Sequence, residues 1–383
     1  MLGLTAAQIE TAGAHWTARE IAQQPQLWGE IARLISQDRA LAQFLGPLRA
    51  NMHLRLVLTG AGTSSFIGKC LAPSLTRHGW SRAEAIATTD IVASPGSFLR
   101  AEIPTLMVHF ARSGNSPESV AVLELAERLI ERCHHLIVTC NAEGELYRRA
   151  LGMGAACAVL LPAASNDQSF AMTSSFTGML LAVASALHLL PADDGALARL
   201  AGIAAQELES LVPLLQSLVR TRFERVVYLG SKELNGLAFE AALKMLELTD
   251  GRVIAVADSP LGFRHGPKTI LNGTTLLVAF LSNDAHTHRY ELDLLNELRR
   301  DGVAGRVIAL TGRAASVPHP DDILLGADAH ALTDLELCLP YAVFAQSLAL
   351  LRSLSLGLRP DSPNGAGTVN RVVQGVSIYP YET

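Results

Sequence analysis

The chain has 383 residues, 49 % of them hydrophobic and 17 % charged, enough apolar material to bury cores in more than one domain. Its net charge of −5 lacks the basic footprint that a nucleic-acid partner demands. No signal-like triplet opens the sequence, and no unbroken apolar run reaches the roughly 18 residues of a spanning helix, so a cytoplasmic protein without a membrane partner is expected.

Five scattered cysteines (Cys70, Cys133, Cys140, Cys157 and Cys338) form no C-x-x-C and have no histidine at zinc spacing. They are read as small core fillers in a reduced compartment, with no metal.

Residues 1–50 have helical spacing and form an N-terminal extension. Strand and helix signals then alternate. LRLVLTG precedes a helix over FIGKCLAPSLTRHG, IPTLMVHF precedes PESVAVLELAERLIERC, HHLIVTC precedes ELYRRALGM, and CAVLLPA precedes the apolar helix MTSSFTGMLLAVASALHLL. Short apolar runs bounded by Gly or Pro, each followed by a helix, imply a parallel sheet covered on both faces. A helical stretch over 198–223 reads as a connector. The plan then repeats. RLVLTGAGTSSFIGKCLAPSL (55–75) and RVVYLGSKELNGLAFEAALKML (225–246) share an Arg, a β-forming run, a Gly, a Ser-bearing loop and a helix, at an offset of 170 residues. RVIAVA, TTLLVAFLS, RVIALTG and DDILLG follow as strands, with TDLELCLPYAVFAQSLALLRSL as a helix. A tail with a β-like end closes the chain. A repeat this long predicts a duplicated domain: two tandem doubly wound parallel-sheet α/β domains, over 51–197 and 224–383.

Ligands of such sheets gather beyond the carboxyl ends of the strands. Three first-half loops fall there: GAGTSS (60–65), ARSGNSPES (111–119) and DQSFAMTSSFTG (167–178). Each places hydroxyls and small residues at a helix start, and Ser116 followed by Pro117 and Glu118 is a helix cap. One such loop merely caps its helix. Three at equivalent strand ends suit an anion such as phosphate, held by N–H groups, helix dipoles and hydroxyls. A dinucleotide site is the rival reading of GAGTSS, but its sixth residue is Ser65, and the next candidate acid, Asp90, is nearer thirty residues on than twenty.

In GLAFEAALKMLELTD (236–250) the only charges before Asp250 are Glu240, Lys244 and Glu247, on one stripe of an otherwise apolar helix. On an ordinary helix this would be a solvated Glu→Lys pair. Apolar neighbours on every side point instead to a polar cleft, where a carboxylate can be tuned for proton transfer. Soon after, His265 stands between Arg264 and Gly266-Pro267, in a loop able to project an imidazole for proton shuttling. His134 and His135, ahead of a strand, and His286 and His288, in a polar loop, read as structural or solvated.

Together, GAGTSS, RSGNSPES, FAMTSS, FEAALKMLEL and FRHGP resemble the paired sugar isomerase (SIS) domains, flavodoxin-like in fold, of phosphosugar isomerases. DSPLGFRHGPK and the tail SPNGAGTVNRVVQGVSIY resemble more closely the galactosamine-6-phosphate deaminase/isomerase family, often labelled tagatose-6-phosphate ketose/aldose isomerase. The resemblance implies that Thr63, Ser64, Ser113 and Ser116 hold a sugar phosphate, with Gly62 and Asn115 in the same loops, and that Thr173 and Ser174 line the sugar. It implies that Glu247 moves a proton between C1 and C2, that Glu240 and Lys244 support it, and that His265 opens the ring. In relatives this histidine comes from the neighbouring subunit, which implies a homodimer. No cofactor is implied.

Two departures separate the chain from the related synthase that installs ammonia. Ala111-Arg112 replaces its Ser-Gln, so a guanidinium is expected at the phosphate, and Gln374 aligns with its carbonyl-handling lysine. No glutamine-hydrolysing domain precedes the pair, so ammonia is expected to be released. The expected reaction converts galactosamine 6-phosphate to tagatose 6-phosphate and ammonia. The alternatives are a phosphosugar isomerase without deamination and, from another class, a non-catalytic phosphosugar sensor. The sensor is disfavoured because residues 1–50 offer no clear DNA-binding helix-turn-helix.

Overall fold

Two five-stranded parallel sheets carry the computed structural model of this chain, which describes residues 2–80, 82–190, 194–314, 319–371, 373 and 375–382. Gln374 lies outside the described residues. Helices α1 (Ala6–Thr11), α2 (His15–Ala22), α3 (Gln24–Gln37) and α4 (Arg39–Arg49) lead in. Thr5 closes a capping box on α1, and Asp38 caps α4 by accepting from the Leu41 N–H at 2.9 Å.

The first sheet is built from β1 (Arg55–Thr59), α5 (Thr63–Arg77), β2 (Ala83–Ala85), α6 (Thr88–Ala93), α7 (Pro95–Phe98), β3 (Thr105–Ala111), α8 (Pro117–Leu129), β4 (Cys133–Thr139), α9 (Glu145–Leu151), β5 (Ala156–Leu160) and α10 (Ser174–Ala186). Its strand order is β2-β1-β3-β4-β5. The second sheet follows α11 (Asp194–Ser210) and α12 (Val212–Arg220). It comprises β6 (Arg225–Gly230), α13 (Glu233–Leu248), β7 (Ile254–Asp258), α14 (Pro260–Phe263), β8 (Thr275–Phe280), α15 (Ala285–Asp301), β9 (Arg306–Thr311), β10 (Asp322–Leu324) and α16 (Asp334–Ser355). Its order, β7-β6-β8-β9-β10, repeats the first.

The duplication extends to backbone detail. Gly62 begins α5 at φ 55°, ψ −127°, and Lys232, 170 residues on, begins α13 at φ 52°, ψ −120°. A Cβ on Gly60 would lie 2.6 Å from Ser64, and one on Gly230 would lie 2.2 Å from the Leu234 carbonyl, so both turns require glycine.

β1 and β3 are buried along their whole length, which is why they read as unbroken apolar runs. Below the first sheet Val57, Met107, Val122 and Ala126 share a core; in the second, Val227, Leu277, Leu294 and Leu298 do. Burying each Leu or Val stabilises by about 1.5–3 kcal/mol.

The chain packs into two units. One comprises Gln26–Asp167, Ser174–Ala192 and Ala366–Thr383, around the first sheet. The other comprises Met1–Pro25, Gln168–Thr173 and Asp193–Gly365, around the second. In the second, α16 packs against α2, α11, α12 and α13. Among the described residues it is the one helix long and apolar enough to cross a membrane, and 94 % of its apolar window is buried inside the protein as a core helix.

Several details differ from expectation. The stretch 198–223 is two helices, broken at Leu211 because Pro213 has no N–H to continue the ladder. His286 and His288 sit in the first turn of α15, not in a loop; Asp284 caps that turn, and the His288 Nδ1 lies 2.9 Å from the Ser282 carbonyl. β2, α6 and α7 were not foreseen, and the tail forms no strand among its described residues. The five cysteines are buried or half-buried and free, and burial raises the Cys133 and Cys140 thiols to about 12.

Two buried titratable features set the expected pH response. His109 on β3 and His135 on β4 meet at 3.1 Å, each leaving its other ring nitrogen without a partner among the described residues. Burial holds both below the usual imidazole range, His135 at about 4. The unfolded imidazoles take up protons from about pH 6.5 downward, so stability falls as pH drops through that range. Replacing both by Phe flattens this acid limb, as thermal unfolding at pH 4.5–7 would record. Glu207 on α11 is the converse. Burial lifts its carboxyl to about 8, and neither oxygen has a hydrogen-bond partner among the described residues. Its unfolded form ionises first, so stability is lost as pH rises from about 4.5 toward 8. Glu207→Gln therefore raises the melting temperature over the parent protein, by more at pH 8 than at pH 5.

Candidate active site

In the first sheet the strand order switches sides between β1 and β3, the point beyond whose carboxyl ends ligands of doubly wound sheets gather. The two strands are direct neighbours, so the loops that follow them lie side by side. From β1 come Gly62, exposed at positive φ, then Thr63 and Ser64, both buried in the first turn of α5. From β3 come Arg112, Ser113, Gly114, Asn115 and Ser116.

The second loop is firmly pinned. Ser116 Oγ caps α8 by accepting from the Ser119 N–H at 3.3 Å, and Asn115 Oδ1 accepts from the Glu145 N–H at 2.9 Å. Asn141 Nδ2 donates to the Ser113 carbonyl at 2.8 Å. Arg112 is buried, and its guanidinium donates to the Arg371 carbonyl of the tail at 2.9 Å. Arg371 in turn donates to the Asp167 carbonyl. The edge thus offers hydroxyls, two helix starts and one guanidinium, a chemistry suited to an oxoanion.

Asp167 is the residue that sequence reasoning missed here. Its Oδ1 accepts the Ser174 N–H at 3.1 Å and the Ser174 hydroxyl, and its Oδ2 accepts the Ser175 N–H at 2.9 Å and hydroxyl at 2.5 Å. The start of α10 is therefore fixed by a carboxylate seven residues upstream. A cap signature, which looks three residues ahead, does not detect it. Thr173 is buried, and its carbonyl accepts from Gln346 Nε2 at 3.3 Å.

In the other unit α13 carries the charged stripe. Glu240 and Lys244 are fully buried, while the Glu247 side chain keeps 25 % of its surface accessible. Lys244 Nζ lies 3.5 Å from Glu240 Oε1 and is in direct contact with Glu247 Oε2. Burial pulls the Lys244 pKa down, but the two carboxylates outweigh it and the net shift is upward, so the ammonium stays charged. One cation between two carboxylates leaves a net negative charge, and the accessible oxygens belong to Glu247. His265 stands on a separate loop after α14. It is exposed, and its ring has no hydrogen-bond partner among the described residues.

Residues 50–189 match the SIS domain family. D-galactosamine-6-phosphate deaminase AgaS of Escherichia coli is 43 % identical over 384 residues, covering 96 % of each chain. The protein of the same name from Shewanella sp. strain ANA-3 is 41 % identical over 381 residues, covering 99 % of this chain and 95 % of its own. The crystal structure of tagatose-6-phosphate ketose/aldose isomerase from Escherichia coli is 41 % identical, with a TM-score of 0.90 over 96 % of this chain and 97 % of that one. The chain belongs to the SIS-domain family, in the branch formed by these AgaS relatives.

Removing one partner of a buried ion pair leaves an uncompensated charge. Lys244→Met should therefore lower stability by about 3–5 kcal/mol, and adding Glu240→Leu should recover part of that loss. Chemical denaturation of the parent, single and double variants checks both.

Proposed function

We propose that the chain is a cytoplasmic deaminase/isomerase converting galactosamine 6-phosphate and water to tagatose 6-phosphate and ammonia. The observation that carries this reading is the α13 triad, in which a buried Lys244 joins two carboxylates and only Glu247 is accessible. The names of relatives more than 40 % identical across nearly the whole chain support the substrate.

The phosphate is held by Thr63, Ser64 and Ser113 with Arg112, at the positive ends of α5 and α8. Gly62 and Asn115 shape the same loops, while Ser116 and Ser174 fix the helix starts and Thr173 lies beside the sugar. Phosphate binding spends remote binding energy on orienting the reacting carbons. His265 transfers the proton that opens the ring. With C1 as an aldehyde, the C2–H is acidic. Glu247 removes it, the C1–C2 enolamine forms, and the proton returns at C1. The product of that step is an imine at C2. Water adds to it, the C–N bond breaks, and ammonia leaves a ketone. Lys244 holds Glu247 in place, and Glu240 flanks the same ammonium. The working unit is a homodimer in which His265 serves the partner copy.

A second reading, isomerisation without deamination, is favoured by the name of the E. coli structural relative. Ammonia release from galactosamine 6-phosphate separates the two. Glu247→Gln should lower turnover by about 10²–10⁴-fold while leaving phosphosugar affinity nearly unchanged. Coupled assays for ammonia and ketose, with calorimetric binding alongside, test this. A variant that still released ammonia at the parent rate would remove Glu247 from the mechanism.

A further inference from the structure

His265 is presented by a loop whose two ends are buried and whose middle is tied to one helix by ion pairs. Phe263 and Leu271 anchor the ends in the core of the second sheet. Between them the backbone turns through Gly266 at φ 118°, and Thr269 closes that turn onto the Gly266 carbonyl through its N–H at 3.0 Å and its hydroxyl at 2.9 Å.

Two side chains of this stretch reach α15. Arg264 contacts Glu297 at 2.8 Å and Asp293 at 2.9 Å, and Lys268 contacts Glu297 at 2.6 Å and Asp301 at 2.6 Å. Asp293, Glu297 and Asp301 recur every four residues, so they form one stripe that repels itself unless cations face it. Glu297 alone meets both cations, one with each carboxylate oxygen. Those cations stand one residue before and three residues after His265. An isolated surface ion pair holds little. Four linked contacts centred on the half-buried Arg264, Lys268 and Glu297, with Asp293 and Asp301 exposed at the rim, hold a loop better than one pair does. Among the described residues the exposed imidazole has no hydrogen bond of its own, so its direction is set by the loop that Arg264 and Lys268 clamp.

We propose that Glu297 is a positioning residue for His265, bridging Arg264 and Lys268 so that the loop holds the imidazole where ring opening needs it. The inference rests on the ring-opening role given to His265 above. A double-mutant cycle tests it, with kcat and KM for galactosamine 6-phosphate measured on the parent enzyme, Glu297→Gln, His265→Ala and the double variant. Misplacing a catalytic group by about 1 Å can lower the rate by up to about 10²-fold, so Glu297→Gln should reduce kcat by about tenfold with KM nearly unchanged. In the His265→Ala background it should reduce kcat no further.

The same fold-loss from Glu297→Gln in both backgrounds, or none in the parent, overturns the positioning role. Full activity of His265→Ala overturns the assignment of His265 itself, a different result. A charge exchange, Glu297→Lys with Lys268→Glu, guards against simple unfolding. It should restore part of kcat relative to Glu297→Lys alone, and failure to do so counts against the clamp. Screening by added salt should lower kcat of the parent more than that of Glu297→Gln.

Discussion

The catalytic proposal depends on one buried cation. Lys244 has no accessible surface, and its ammonium is tolerable there only because Glu240 and Glu247 flank it at helical spacing. Desolvation alone would drive the lysine toward neutrality, and a neutral lysine would remove the cation that both carboxyl groups face. The triad is therefore a unit. Glu240 and Glu247 together keep Lys244 charged, Lys244 holds Glu247 in place, and partial exposure makes Glu247 the accessible member. The packing of α13 against α16 and the second sheet keeps water from breaking that chain of dependence.

The first unit shows the complementary principle. There the burial of hydroxyls and N–H groups at strand ends is balanced by local partners: Ser116 with Ser119, Asn115 with Glu145, Ser174 and Ser175 with Asp167. These contacts turn flexible loops into fixed walls. An anion bound as proposed beyond β1 and β3 would meet donors already ordered and would cost little further conformational entropy.

Much of this was legible in the sequence for a physical reason. Central strands buried on both faces must be unbroken apolar runs, so β1, β3, β4, β6, β8 and β9 announce themselves. The stripe of Glu240, Lys244 and Glu247 likewise follows from helical spacing alone. What escaped was set by contacts distant in sequence or by weak patterns. β2 is three residues long and partly exposed. α15 is largely polar, its inner face being Leu294, Leu295 and Leu298 with a buried Glu291. The tail alternates like a strand, yet the carbonyls of Arg371 and Tyr381 are taken by the guanidinium groups of Arg112 and Arg128, at 2.9 and 2.8 Å. The pairing of Arg264 and Lys268 with α15 spans about thirty residues and leaves no local signature.

The two copies of the fold also differ at the same edge, and the difference separates their roles. Gly62 takes its positive φ without strain, and the turn it makes leaves the edge beside Thr63 and Ser64 lined by small groups. At the matching point Lys232 adopts nearly the same angles, a conformation that costs a residue with a Cβ about 1–3 kcal/mol. Its ammonium lies 2.8 Å from Asp334 at the start of α16. Asp334 also accepts the Ser282 hydroxyl at 2.6 Å and the Asn283 N–H at 2.8 Å, and Glu291 accepts the Ser282 N–H at 2.8 Å. Donors that would face an external anion thus already hold internal carboxyl groups, and a dianion placed there would meet the Asp334 carboxylate. The proposed phosphate site is therefore the one on the first sheet. The second is left to stabilise its own helices and to carry α13, whose buried charges need a rigid support more than they need an open edge.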